Sequence, residues 1–205
     1  RERPLDLLVN NASVLLPARQ LSADGIELTF ATNVLGYFLL TELLRPNLLA
    51  AAAARVVNVT SGGLYTARLH LDDLQYATRP FNGTTAYAES KRAELVLTEQ
   101  WATAWRGTGI AVHAVHPGWA DTPGVQTSLP RFARLMRPLL RTPRQGADGI
   151  VWLCTTPDLA RFPNGRLWFD RQPRPHHKLG MPRNTPAEIQ QFWQICHDLT
   201  ACSIS

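Results

Sequence analysis

Residues 86–94 read AYAESKRAE, and within them Tyr87 and Lys91 stand four apart in a stretch of helical character. Four residues is a little over one α-helical turn, so the phenol and the ammonium rise from the same face and can act on one object. The chemistry open to such a pair is proton transfer. A free tyrosine is a weak base near neutral pH, but a positive charge one turn away favours the phenolate and makes the hydroxyl a usable acid/base. The same spacing also describes a half-buried Tyr beside a solvated Lys, so its meaning depends on what else reaches that place.

Several elements must position the pair. LDLLVNNA at 5–12 is a short apolar run stopping at two asparagines, the pattern of a buried strand that ends in a loop. Ser22 reads as an N-cap, with Ile26, Phe30, Val34, Phe38 and Leu39 at helical spacing until Pro46 ends the run. RVVNVT at 55–60 is a second strand, turning at Ser61-Gly62-Gly63, and the Tyr87 helix runs to Trp105 before Gly107 and Gly109 stop it. GIAVHAVHPG at 109–118 is a third strand closed by Pro-Gly, and Arg166–Phe169 a last one. Thr142-Pro143 and Thr185-Pro186-Ala187-Glu188 open two further helices, the second extending over 185–199. Strands alternating with helices imply an α/β fold, a Rossmann-like doubly wound parallel sheet, in which ligands bind beyond the carboxyl ends of the strands. Asn10 to Ser13, Ser61 to Gly63 and Pro117 to Thr122 then share one sheet edge, beside the start of the Tyr87 helix.

Composition bounds the rest. With 205 residues, 45% apolar and 18% charged, the chain suits one domain with a core and excludes disordered and fibrous classes. Apolar stretches such as VLGYFLL are interrupted well before spanning length. The chain opens RERPLDLLV without a signal pattern, which leaves localisation open between cytoplasm and an intracellular membrane surface reached through an upstream segment. Cys154, Cys196 and Cys202 lack metal or redox spacing and read as reduced thiols; His176 and His177 read as loop residues, not metal ligands. The formal charge of +5 is scattered, against a nucleic-acid footprint, and its one concentration is Arg131, Arg134, Arg137, Arg141 and Arg144. That spacing puts them on one side of a short helix, as a solvated face or, as the lesser alternative, an anion patch.

Taken together the motifs resemble the short-chain dehydrogenase/reductase family. NNAS at 10–13, TNVLGYFLLT at 32–41, VNVTS at 57–61, YAESK at 87–91 and HPGWADT at 116–122 occur in that family's order, with wording similar to its retinol-dehydrogenase-like branch. The resemblance implies an oxidoreductase that interconverts an alcohol and a carbonyl by hydride transfer with NADP or NAD, NADP slightly preferred. It assigns Asn33, Ser61, Tyr87 and Lys91 to catalysis: Tyr87 as acid/base, Lys91 as its charge partner and a ribose contact, Ser61 as hydrogen-bond donor to the substrate oxygen. By the same resemblance, Asn33 is expected to distort its helix and hold a water that links Lys91 to solvent as a proton relay. Asn10, Ala12, Pro117, Gly118 and Thr122, with Tyr87 and Lys91, are matched to cofactor contacts.

Two departures are local: Ser13 where the family has Gly, and Glu89 beside the reactive pair, two residues from each partner and so expected on another face. The larger one is that the family's opening strand, glycine turn and helix, T-G-x-x-x-G-x-G, is not in the chain. Against the family, Leu5–Asn10 is the fourth strand, so the chain is expected to be a single partial domain holding the fourth to seventh strands, with the first three and the NAD/NADP selector absent. An apolar strand edge should then be exposed, and residues 1–205 alone are expected to be poorly soluble and to bind cofactor weakly; micromolar NADPH affinity in a monomer would refute this. The segment 119–141, with Leu129, Phe132, Leu135, Met136, Leu139 and Leu140, is expected to cover a lipophilic carbonyl or alcohol. Relatives imply homodimer pairing through the Asn33 and Tyr87 helices. A non-catalytic scaffold that keeps the fold stays open as the alternative function, and a nucleotide-sugar epimerase ranks last because too little chain follows Pro117 for its substrate domain.

Overall fold

In the computed structural model, which describes residues 3–120, 140–178, 180 and 183–201, the β-branched runs become neighbouring strands. β1 (Leu7–Asn10), β2 (Arg55–Val59), β3 (Ala111–Val115) and β4 (Leu167–Phe169) pair parallel in chain order, with Asn10 level with Asn58 and Asn58 level with Ala114. β2 and β3 are buried on both faces, as expected where helices cover both sides of a parallel sheet. β1 is the edge strand and alternates, with Leu7 and Val9 each 37% exposed, so the expected apolar edge is present.

A fifth strand, β5 (Gln172–Arg174), returns antiparallel to β4 and was not expected. Its turn residues Asp170 and Arg171 have φ of 53° and 59°, a left-handed pair that usually announces itself as Asn-Gly or Asp-Gly. Here long-range charge holds it instead. Arg141 grips the Asp170 carboxylate at 2.5 and 2.7 Å, and Asp148 holds Arg171 at 2.9 and 2.5 Å.

The helix expected from Ser22 begins later. The Ser22 hydroxyl accepts from Asp24 and Ile26 N–H groups in a turn, whereas the Glu27 carboxylate caps α1 (Leu28–Phe30) by accepting from Thr29 and Phe30. The run widens into a π-helical turn over Ala31–Leu35 and continues as α2 (Gly36–Leu43). Pro46 does not end the helical path but sits in the first turn of α3 (Arg45–Leu49), where its missing N–H costs nothing.

α4 (Gly83–Ala104) is capped by Asn82, whose Oδ1 accepts from Thr85 N at 3.0 Å, and stops before Gly107 and Gly109, both at positive φ. Its Val96, Leu97 and Trp101 pack with Phe30, Val34 and Phe38, and with Phe192 and Cys196 of α6 (Pro186–Thr200). Trp101 Nε1 donates to Glu42 at 2.6 Å. On the opposite face Leu153 of α5 (Pro143–Thr155) packs on Val57, Val115 and Trp168. α5 and α6 both start with the expected Thr N-cap and first-turn proline, α6 with the expected capping box and α5 with one that was not expected, through Gln145. Arg144 lies in α5 while Arg141 precedes it and is spent on Asp170, so those two do not share a solvated helix face; residues 131, 134 and 137 lie outside the described residues. Among the described residues no helix is long and apolar enough to cross a membrane.

The N-terminus of α4 rests directly on the loop after β1. A Cβ on Gly83 would fall 1.9 Å from the Leu16 carbonyl oxygen, a backbone atom with no rotamer to retreat into. Gly83→Ala is therefore expected to cost about 2 kcal/mol by thermal or urea unfolding, because the loop must separate from the helix to admit one methyl. Unchanged stability would show that this packing is looser than the geometry requires.

Candidate functional site

Three strand ends meet the start of α4. Ser61 follows β2 in extended backbone, and its Oγ accepts from Gly63 N at 3.4 Å, opening a short 3-10 turn over Gly62–Thr66. Beyond β3, His116 Nδ1 accepts from Gly62 N at 3.2 Å and from Gly118 N at 3.3 Å, which ties the Ser61 turn to the Pro117-Gly118 turn. Two N–H donors to Nδ1 place the imidazole proton on Nε2. Burial and then the Arg141 charge lower the His116 pKa to about 4, so the ring is neutral, and it stacks on Phe169 at 4.9 Å. Gly118 has φ of 80°, a conformation that favours glycine, and a Cβ there would come within 2.8 Å of the Arg141 Nε, so the arginine would have to shift. His116 was not singled out as a site residue; its signal was its place between a strand end and Pro-Gly.

Ser61, Tyr87 and His116 line a cavity of about 950 Å³, with Leu15, Trp119 and Phe169 among its apolar walls. Lys91 lies behind that surface. Its Nζ is 5.3 Å from the Tyr87 ring centroid and 5.8 Å from that of Tyr37, and it donates to the Val59 carbonyl at 3.1 Å and to Glu94 Oε1 at 2.7 Å. Both members of this ion pair are out of water, Lys91 being 2% exposed and Glu94 0%. Burial pushes the Glu94 carboxyl up to about 7 against the pull of the lysine. Tyr37, also buried and beside Glu94, has its pKa raised and stays a neutral phenol. Glu94 escaped the sequence reading, although it stands three residues beyond the lysine and so on the same helical face.

Asn33 sits in the π-helical turn, so the helix around it is distorted. Its side chain joins two elements: Oδ1 accepts from Val14 N at 2.8 Å, and Nδ2 donates to Val14 O at 3.0 Å and to Ser90 Oγ at 2.9 Å, Ser90 in turn donating to the Tyr87 carbonyl at 2.8 Å. Asn10 points into the core, where Nδ2 donates to Thr41 Oγ1 at 3.0 Å and Asn58 Oδ1 at 2.8 Å; Asn58 donates on to Thr98 at 2.9 Å. This buried polar ladder ties β1 and β2 to α2 and α4 on one face of the sheet, and among the described residues the Asn10 Oδ1 within it makes no hydrogen bond. Ala12 and Ser13 are exposed past the end of β1. Thr122 lies outside the described residues, as does most of 119–141.

Glu89 does turn away from Tyr87 and Lys91, for a reason the spacing could not supply. Its carboxylate accepts from Tyr76 at 2.8 Å and from both Arg79 nitrogens at 3.0 Å, so it fastens the 70–82 loop to α4 while bordering the cavity. Asp73 braces the same loop. Burial works against its ionised form, but N–H donors from Arg79, Ala77 and Thr78 hold its carboxyl well below the usual range.

With this geometry in view, comparison with known proteins is informative. Residues 1–131 match the family model "short chain dehydrogenase". The chain is 40% identical over 200 residues to Dehydrogenase/reductase SDR family member 12 of Bos taurus, covering 97% of this chain and 62% of that protein. It is 40% identical over 149 residues to Retinol dehydrogenase 12 of Homo sapiens, covering 72% of this chain and 47% of that one. The chain thus spans less than two thirds of the length of these relatives. Among solved structures, an uncharacterised protein from Mycobacterium Paratuberculosis superposes with a TM-score of 0.74 at 24% identity, covering 98% of this chain and 69% of that one, which is a likeness of fold. A proposed NAD(P) dependent gluconate 5-dehydrogenase from Beutenbergia cavernae, with NADP bound at low occupancy, gives 0.56 at 25% identity, covering 80% and 64%.

Proposed function

Because the chain belongs to the short chain dehydrogenase family, we propose that the protein of which it forms part or all interconverts an alcohol and a carbonyl with a nicotinamide dinucleotide, through Tyr87 as acid/base. The observation that carries this reading is the shared cavity of Ser61 and Tyr87, backed by a buried ammonium 5.3 Å from the phenol ring. NADP or NAD would supply or accept the hydride. The residues beyond the strand ends suit its nicotinamide half: exposed Ala12, the glycine at positive φ in Pro117-Gly118, and Thr122 further along the chain. NADP is the preferred form.

In the reductive direction the Ser61 hydroxyl donates to the substrate oxygen and holds it against Tyr87. The Tyr87 hydroxyl then gives its proton as negative charge grows on that oxygen. Lys91 lies close enough to offset the phenolate that remains. Asn33 and Asn10 serve this arrangement from outside the cavity. Asn33 clamps the loop after β1 to Ser90 and so to the backbone of Tyr87, and its widened turn is the place for a proton relay. Asn10 braces the sheet edge. The cavity walls, including Leu15, Trp119, Leu167 and Phe169, favour a lipophilic carbonyl or alcohol, in keeping with a relative named for retinol.

A non-catalytic scaffold on the same fold has no observation in its favour that matches the convergence of Ser61, Tyr87 and Lys91. The deciding experiment is turnover of the complete protein with NADPH and with NADH against retinal, steroid and aliphatic carbonyls. Binding of NADPH without reduction of any member of that panel would favour the scaffold.

A further inference from the structure

A buried carboxylate is costly unless something makes its charge useful, and Glu94 is wholly buried next to the lysine that supports Tyr87. It accepts from Lys91 Nζ at 2.7 Å through Oε1, while Oε2 makes no hydrogen bond among the described residues. The ionisable groups acting on it among the described residues include Lys91 on its own helix and Tyr37 from α2. β2 presents the Val59 carbonyl, which accepts from Lys91, and the Thr60 hydroxyl, which donates to the Lys91 carbonyl at 2.7 Å. An amide of the same shape at position 94 would fill the same space without bringing a negative charge there.

We propose that Glu94 is a positioning residue for the catalytic pair, its carboxylate anchoring the Lys91 ammonium on the inner side of α4 and opposing the positive field that Lys91 exerts on the Tyr87 hydroxyl. This rests on the reading of Tyr87 as the acid/base. In this arrangement the Tyr87 hydroxyl lies in the field of two opposed charges, the Lys91 ammonium near its ring and the Glu94 carboxylate bound to that ammonium.

The test is a spectrophotometric titration of tyrosinate in the complete protein, needing neither substrate nor cofactor. The curve of each Tyr87→Phe counterpart is subtracted to leave the signal of Tyr87 alone. Glu94→Gln is expected to lower the Tyr87 midpoint by about one pH unit relative to the unmodified protein. Glu94→Asp, which keeps the charge, is expected to stay with the unmodified curve. Coincident midpoints for Glu94→Gln and the unmodified protein, or a rise in Glu94→Gln, overturn the proposal. So does a fall in Glu94→Asp as large as in Glu94→Gln, since packing rather than charge would then be responsible. Turnover by Tyr87→Phe tests the functional reading separately, so failure of either idea is recognisable on its own.

Discussion

Tyr87→Phe in the complete protein is expected to lower kcat about a thousand-fold with little change in KM, because it deletes the proposed proton donor and nothing else. The half-buried ring keeps its place on α4 above the cavity, and the phenol hydroxyl makes no hydrogen bond among the described residues. Removing that hydroxyl should therefore shift unfolding stability by less than about 0.5 kcal/mol. The discriminating result is the pairing of intact thermal unfolding with lost turnover, read as steady-state rates with NADPH and the best carbonyl substrate. Equal turnover by both forms would remove Tyr87 from the chemistry and with it the mechanism.

Lys91→Met should damage both activity and fold, and the two losses separate cleanly. Methionine fills the lysine's volume but leaves Glu94 as a buried charge without a partner, which is expected to cost about 3 kcal/mol near pH 8. The pH dependence follows from Glu94. Burial already raises its folded-state pKa to about 7 from 4.5, and loss of Lys91 removes the group that pulls it back down. A carboxyl raised on folding binds its proton more tightly in the folded state, so its contribution falls as pH rises above 4.5, by up to about 1.4 kcal/mol per unit until the folded group ionises. Unfolding curves of Lys91→Met should accordingly lie nearer those of the unmodified protein at pH 5 than at pH 8. Adding Glu94→Gln to Lys91→Met should restore most of the stability, since the unpaired charge is gone, while activity stays lost for want of the ammonium. A stability defect that is the same at both pH values would show that the ion pair is not its cause.

Much of the fold was legible because local chemistry and tertiary environment agreed. The β-branched runs of β2 and β3 became doubly buried strands, and the two Thr-Pro starts became capped helices, the Thr185 one with its capping box to Glu188. Where they disagreed, the reading missed. Ser22 had the right side chain for a cap but Glu27 has the position, and nothing local distinguishes them before the Gln20 to Leu28 backbone bond turns the chain. β5 was invisible because its turn is stabilised by one aspartate and one arginine 23 and 29 residues away from their partners in sequence, Asp148 and Arg141, rather than by glycine.

The candidate site divides in the same way. Spacing and order alone gave the Tyr87 and Lys91 pair and placed Ser61 at a strand-end turn on the same sheet edge, because a proton-transfer pair and strand-end turns are visible in one-dimensional spacing; Asn33 and the catalytic roles came from the resemblance to the short-chain dehydrogenase family. What only the tertiary structure decided was direction and partnership. It turned Asn10 into the core as part of a polar ladder, set His116 between two turns as a neutral imidazole, sent Glu89 to Arg79, and put Glu94 against Lys91. Spacing along a helix says which groups share a face. Which of them lose water, and so acquire a shifted pKa or an obligatory partner, depends on what the rest of the chain lays against that face.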